Sequence, residues 1–386
     1  MGFSLLIYLI LILSTNINLT TVMFLLLGLT MAGKSNVCYI YLLEFIPKKW
    51  QTAVGTVLLF ADGSTMIFLS LYFRFISKDW LWFQIFALSL TTLAFFVMLF
   101  APESPKYLYS YKKYKEARKA LQYIARFNRV SHQKKYWFDT EHQEMKRQRN
   151  TIPILSSSWN YGDKKESMGG DINKSSNLTS PYQTRDRTPD HQSTVAASED
   201  KIDASIKTLI KDRTMFINLV CVLFLWVAST FDYYLINFQL KYIDGDIYTN
   251  TIVSSVSEVT AYLVSGAVYD KIGARVSFIG SYIIGIIGSL FYILFSESNK
   301  SLVPLMVLGS KFGISSCFNC VYLANGLFPP IYASTTFGIF NFFARLTGMF
   351  APLVAELQPK FVPMTIFCVM AGLACVVSFF LRTPSK

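Results

Sequence analysis

Long apolar stretches alternate with short charged links along the chain, and one long polar segment interrupts them near the middle. A helix needs about 20 mostly apolar residues to cross the hydrocarbon core of a bilayer. The stretches do not alternate apolar and polar residues as the strands of a membrane barrel do, so we predict helices. The predicted spans are residues 2–14, 20–43, 53–76, 80–101, 215–237, 249–269, 276–295, 302–325, 331–354 and 361–381.

The spans fall into two blocks, and this division predicts the domain organisation. Residues 1–101 form a partial N-terminal helical bundle, 102–214 a cytosolic loop, and 215–386 a C-terminal six-helix bundle. The predicted fold class is all-α: a polytopic membrane protein of two bundles with about ten transmembrane helices. A short repeat supports two related halves, since Glu44-Phe-Ile-Pro47 ends the second span and Gly326-Leu-Phe-Pro329 ends the eighth. Transporter folds are built from such internal repeats.

The basic residues favour a cytosolic location for the long loop. The formal net charge is +12, and most Lys and Arg residues lie between residues 102 and 213. Two further basic links, at residues 48–49 and 271–275, fall on the same predicted face. Lys and Arg accumulate on the cytosolic side of membrane proteins. Because this distribution explains the charge, we exclude nucleic-acid binding, and the expected partners are the lipid bilayer and a small organic ion.

The long loop has two predicted parts. Lys106–Arg129 can form an amphipathic helix that lies either on the cytosolic face of the bundle or on anionic lipid. Ser156–Asp203 is polar, with few apolar residues, and is predicted to be disordered.

Metal, redox and nucleophilic chemistry are not predicted. All six cysteines fall in apolar runs, so the Cys317–Cys320 pair is interpreted as packing rather than as a redox or metal motif. The histidines His132, His142 and His191 lie in the polar middle, which excludes an intramembrane histidine relay. No phosphate-binding glycine loop occurs. We therefore expect no cofactor, no metal and no enzymatic activity; the sequence leaves the oligomeric state unknown.

Four stretches resemble the major facilitator superfamily and, within it, the organic cation/anion transporter family. Each resembles a family motif at the end of a helix or within one. They are the PESP box Pro102, Glu103, Ser104 and Pro105, continued by Lys106-Tyr-Leu108; the glycine loop Gly266-Ala-Val-Tyr-Asp270-Lys271-Ile-Gly273-Ala-Arg275; the helix-end motif Tyr39-Ile-Tyr-Leu-Leu-Glu44-Phe-Ile-Pro47; and Ala344-Arg345-Leu-Thr-Gly348-Met-Phe-Ala-Pro352.

The resemblance implies a twelve-helix carrier that works by alternating access, usually in the plasma membrane. Counting back from the PESP box, the first span corresponds to family helix 3, so we expect a chain that lacks helices 1 and 2. The family arginine after the helix-end motif is Gln51 here, and the second copy has Gly326 and Ala333 in place of its acid and arginine. These departures are expected to weaken the charge pairs that hold the inward gate shut.

The glycine loop is the predicted gate. By resemblance, Asp270, Lys271 and Arg275 pair with helix ends of the other bundle, while Gly266 and Gly273 permit close packing. The alternative is that these cations only anchor the cytosolic side.

Two charged positions predict substrates of opposite charge. Arg345 lies mid-span and suits a carboxylate or another anion; alternatively it pairs with Glu356 or snorkels to the interface. Asp232, with Tyr233 and Tyr234, suits an organic cation through charge and cation–π contacts. A zwitterion would satisfy both positions.

Three further charged residues within the spans could have either a functional or a structural role. Glu258 corresponds to a family acid, and it or Asp232 could couple protons or simply face water. Lys34 shares a face of its helix with Glu44 and is a second anion candidate or half of a helix-to-helix pair. Asp62 is a weaker candidate.

Three functions are consistent with these residues. The first is secondary transport of a small organic cation, anion or zwitterion. The second is a truncated membrane protein without transport activity, or a scaffold. The third is a sugar porter, which is disfavoured because the seventh family helix lacks the glutamine motif of that group.

Overall fold

The computed structural model describes residues 2–129, 206–242, 246–296, 298, 302–359 and 361–382. The stretch predicted to be disordered, residues 156–203, and the three histidines lie outside the described residues. The regular structure of the described ranges is helical. Its α-helices are α1 Gly2–Leu13, α2 Ile17–Phe45, α3 Lys48–Phe75, α4 Trp80–Leu99, α5 Pro105–Ser110, α6 Tyr114–Phe127, α7 Ile206–Lys211, α8 Arg213–Gln239, α9 Ile247–Ile272, α10 Ala274–Phe295, α11 Val303–Ala324, α12 Pro330–Gly348, α13 Ala351–Ala355 and α14 Phe361–Ser378.

The helices agree with the predicted spans, and the prediction of a helical polytopic protein is confirmed. Eight of the described helical stretches are long and apolar enough to cross a membrane. The two remaining predicted spans differ from these for different reasons. Helix α1 has 12 residues, which is short of a full span. Helix α11 has 22 residues, but Lys311, Asn319 and several serines in it lower its mean hydropathy.

The C-terminal helices pack around large buried aromatic side chains. Trp226 of α8 stacks on Phe340 of α12 with ring centroids 5.4 Å apart, and Tyr282 of α10 is buried beside Ser229. Helices α10 and α11 approach closely, since a Cβ placed on Gly313 would lie 2.2 Å from the backbone nitrogen of Gly285. Small residues let membrane helices pack by van der Waals contact.

Helix α3 packs along α9, and this contact joins the two predicted blocks. A Cβ at Gly266 would lie 2.2 Å from Thr56 Oγ1, so the helices meet where α9 has no side chain. At the other end of the same pair, Arg74 forms an ion pair with Asp246 at 3.3 Å. The two helices therefore contact each other from one end to the other.

The connection between α9 and α10 is a single residue. Gly273 has φ +88°, and its N–H donates to the carbonyl of Tyr269. Glycine adopts this left-handed conformation without the steric cost that other residues meet. The tight turn fixes the spacing of the two helices on the side that carries the basic links.

We expect Gly266→Ala to destabilise the α3–α9 contact, because the added methyl group meets Thr56. Overpacking of this kind costs about 1–3 kcal/mol. The measurement is the thermal unfolding midpoint of the purified full chain in detergent. The control is Gly280→Ala on α10, where a Cβ meets nothing within 4 Å. Equal midpoints for the two variants would contradict the contact.

Candidate functional site

A buried ion pair lies near the middle of the helices. Glu258 of α9 accepts from Lys311 of α11 with Nζ and Oε2 2.8 Å apart, and the Lys311 side chain is 0% exposed. An isolated charge at this depth is costly, whereas a paired charge is tolerated. The pair therefore links α9 to α11.

Three further side chains complete this group, which we call the central cluster: Glu258, Lys311, Tyr233, Tyr262 and Asn237. Tyr233 and Tyr262 each donate a hydrogen bond to Glu258 Oε1, at 2.6 and 2.7 Å. Lys311 also donates to Asn237 Oδ1 at 2.5 Å and lies 4.1 Å from the centroid of the Tyr233 ring. Both charges are thus satisfied by partners on three helices, α8, α9 and α11.

Two other charges face the same region without a direct ion pair. Asp62 lies midway along α3 and Arg345 midway along the span Tyr332–Ala355, and both are exposed. Asp62 directly precedes Gly63, where a Cβ would lie 3.5 Å from Glu258 Oε1, so Asp62 lies at the height of the central cluster. Among the described side chains, no ion pair within 4 Å joins Asp62 to Arg345.

Aromatic rings line this region. Tyr233 stacks on Phe318 with centroids 4.5 Å apart, and Phe318 contacts Tyr322 at 5.3 Å. Tyr234 faces α12, where a Cβ on Gly348 would lie 3.3 Å from its ring. Aromatic faces beside a carboxylate attract organic cations.

Asp232, the predicted cation site, lies elsewhere. Its side chain is fully buried, and neither carboxylate oxygen has a hydrogen-bond partner in the part of the chain that the structure describes. Its electrostatic neighbours are Tyr282 on α10 and Cys317 on α11. The side chain of Asp232 therefore lies in the packed core, whereas the side chain of the next residue, Tyr233, belongs to the central cluster.

The ion pairs considered as alternatives for Arg345 and Lys34 are not formed among the described residues. Glu356 pairs with Lys241 and also accepts from Tyr242, and these hydrogen bonds lower the pKa of its carboxyl. Within the described ranges, neither Arg345 nor Lys34 makes an ion pair. Arg345 is exposed on α12, and Lys34 is half-buried on α2.

The helix-end motif and the PESP box meet at the end of α2. Gln51 Nε2 donates to the carbonyl of Leu43 at 2.9 Å, and Lys106 Nζ donates to that of Ile46 at 2.7 Å. Burial lowers the pKa of Lys106, and the nearby Glu44 carboxylate opposes that shift. Gln51 stands where the resemblance implies an arginine, and together with Lys106 it donates to two carbonyls at the end of the helix, those of Leu43 and Ile46.

The motifs also border a cleft of about 340 Å³ on the loop side of α2, and the surface of this cleft is more apolar than polar. Ser104 caps α5 by accepting from the N–H of Tyr107, and Pro47 precedes α3. The cleft is separate from the central cluster. Its polar lining comprises Asn36, Tyr41, Glu44, Glu103, Ser104, Tyr107 and Ser334.

The glycine loop is placed at the α9–α10 turn. Lys271 and Arg275 are exposed there, and the Arg275 guanidinium lies 5.9 Å from the ring of Phe379, which directly follows α14. Gly266 contacts the other block directly through Thr56. Close packing at Gly266 agrees with the prediction, but the prediction for Gly273 is wrong. A Cβ there would meet nothing within 4 Å, so Gly273 is required for its positive φ and not for packing. The gating role stays a prediction.

Metal chemistry finds no support in the described residues. They contain no group of three or more His, Cys, Asp or Glu side chains that could hold a metal ion. All six cysteines are free, and Cys317 and Cys320 are fully buried in α11.

Lys311, Tyr262 and Asn237 are the members of the central cluster that the sequence analysis missed. Lys311 carried a usable signal, because it is an isolated lysine inside an otherwise uncharged predicted span. The positions of Tyr262 and Asn237 depend on helix rotation, which the sequence pattern does not define.

Comparison with known proteins gives a consistent family. The model of the Major Facilitator Superfamily matches residues 1–352. "Solute carrier family 22 member 16" of Xenopus laevis is 23% identical over 92% of this chain and 54% of its own length. "Solute carrier family 22 member 6" of Pseudopleuronectes americanus is 25% identical over 85% and 50%, and "Organic cation/carnitine transporter 2" of Rattus norvegicus is 21% identical over 95% and 57%. The chain spans about half the length of these relatives.

We expect Glu258→Gln or Lys311→Met alone to lower the free energy of unfolding by about 3–5 kcal/mol, because each leaves a buried charge unpaired. The double variant should recover most of this loss. A double-mutant cycle on thermal unfolding in detergent measures the coupling.

The control is Glu116→Gln, which breaks the exposed 3.8 Å pair with Lys113 and should have little effect. Additive losses in the cycle would contradict a buried, mutually compensated pair.

Proposed function

The chain belongs to the Major Facilitator Superfamily, and on that basis we propose that it is a secondary transporter that moves small organic ions across a membrane by alternating access. It is a multi-pass integral membrane protein, and we place it in the plasma membrane, the usual location of the family it resembles. The observation that carries the proposal is the pair Asp62 and Arg345, two exposed mid-span charges that form no ion pair among the described side chains.

The substrate follows from the chemistry of that region. A carboxylate and aromatic rings favour an organic cation, whereas the planar guanidinium of Arg345 favours a carboxylate. We therefore propose a zwitterionic substrate whose cationic end meets Asp62 and Tyr233 or Tyr234, and whose anionic end meets Arg345. Within this site, Glu258 acts through Lys311 rather than on the substrate, because its charge is already compensated.

Movement of the two blocks against each other would expose this region to either side in turn. On the loop side, Tyr39 of α2 stacks on Phe337 of α12 with centroids 5.1 Å apart and contacts Tyr322 at 5.4 Å. We propose that this aromatic contact and the gate residues Asp270, Lys271 and Arg275 hold the cytosolic side closed. The Gly266–Thr56 contact lies on the same side of α9 and serves as part of the closed interface.

No observation favours the scaffold or sugar-porter alternatives. A sugar has no net charge to match Asp62 and Arg345, and two uncompensated charges in a scaffold would be costly without a role.

The decisive test is uptake by the full chain in proteoliposomes, with a labelled zwitterion, an organic cation and an organic anion as probes. We expect Asp62→Asn to reduce cation uptake and Arg345→Ala to reduce anion uptake, each by about 10- to 100-fold, because a charge-assisted hydrogen bond is lost. Both variants should reduce zwitterion uptake.

The variant Asp232→Asn tests whether the substrate site lies in the central region or in the packed core of α8, α10 and α11. This variant should change the uptake of all probes by the same factor, since it acts through stability. A chain that transports none of the probes, or a selective loss in Asp232→Asn with normal uptake in Asp62→Asn and Arg345→Ala, would contradict the proposal.

A further inference from the structure

Helix α6 has one face packed against the protein and an opposite face that is exposed and mixed in character. Ala117, Ala120 and Ala125 are buried. On the exposed face, Tyr123 and Phe127 are 48% and 83% exposed. They are interleaved with cations at helical spacing of three and four residues. We call this exposed surface the aromatic–basic row: Lys115, Lys119, Tyr123, Arg126 and Phe127.

The position of the row is defined by its contact with a membrane span. The Tyr123 hydroxyl donates to the carbonyl of Phe100 at 3.3 Å. Phe100 directly follows α4, and Leu99 and Phe100 are 63% and 76% exposed, as expected for the lipid-facing end of a span. The aromatic–basic row is therefore continuous with the surface of α4 where that span leaves the bilayer.

The charge of the row is complementary to one kind of surface. The acidic residue of α6, Glu116, lies 3.8 Å from Lys113, so its charge is offset locally. Lys115, Lys119 and Arg126 remain as a net positive face. The cytosolic leaflet is rich in anionic phospholipid, and each Lys or Arg near such a surface favours binding by about fivefold. Aromatic side chains on the same face enter the boundary between headgroups and acyl chains.

We propose that the aromatic–basic row of α6 binds anionic phospholipid headgroups of the cytosolic leaflet, with Tyr123 and Phe127 inserted below them. A single exposed aromatic residue needs no explanation. Here two aromatic residues and three cations share one helical face, and that face adjoins the end of a span. The proposed partner is lipid rather than protein because the row is continuous with the apolar, exposed end of the candidate membrane span α4.

The experiment is hydrogen–deuterium exchange of the full chain in nanodiscs. Amides of residues 114–127 are compared in neutral phosphatidylcholine and in phosphatidylcholine that contains phosphatidylserine. We expect exchange to be slower by about fivefold or more with the anionic lipid. High salt should remove the difference, because it screens surface charge. Transport is not measured, so the result is independent of the proposed function.

Two variants complete the design. Lys119→Glu should reduce the protection by phosphatidylserine, whereas Lys78→Glu makes the same change of charge on the exposed link between α3 and α4 and should not. Phe127→Ser should weaken protection in both lipids, and Phe127→Leu should retain it. Equal exchange in neutral and anionic nanodiscs, or equal effects of Lys119→Glu and Lys78→Glu, would overturn the proposal.

Discussion

The cost of holding charges in a low-dielectric interior governs the arrangement of the central helices. Glu258 and Lys311 are tolerated at mid-depth because partners on three helices satisfy them together. These hydrogen bonds have directional requirements, so they fix how α8, α9 and α11 are rotated and at what height they meet. Helix α3 adds a fourth surface, since a Cβ on Gly63 would lie 3.5 Å from Glu258 Oε1.

The same compensation decides which charges remain for a ligand. Once Glu258 and Lys311 neutralise each other, the electrostatic character of the proposed binding region depends on Asp62 and Arg345. A site with separated, opposite charges and aromatic walls discriminates by the distance between the charged ends of its ligand. In this interpretation, substrates are selected by the distance between their charged groups as well as by the sign of each charge.

The spans could be predicted from the sequence because the bilayer imposes one length and one composition on each crossing helix. The direction in which each side chain points could not. Asp232 and Tyr233 are adjacent in sequence, yet one lies in the packed core and the other in the central cluster, because successive residues on a helix point about 100° apart. The sequence favours Asp232 over Asp62 because Tyr233 and Tyr234 follow Asp232 directly, but this pattern does not define where either carboxylate points. Arg345 could be identified because an arginine in the middle of a span is costly whichever way its side chain points.

The contacts at the end of α2 have a mechanical consequence. Gln51, from the start of α3, and Lys106, from the segment after α4, donate to neighbouring carbonyls of one helix terminus. The end of α2 and the start of α3, which follow each other in sequence, thereby meet Lys106, which lies 60 residues beyond Ile46. A tilt of α2 would therefore move Lys106 and the segment that leads into the long polar loop. In this way a movement of the spans would be transmitted to the part of the chain outside the bilayer.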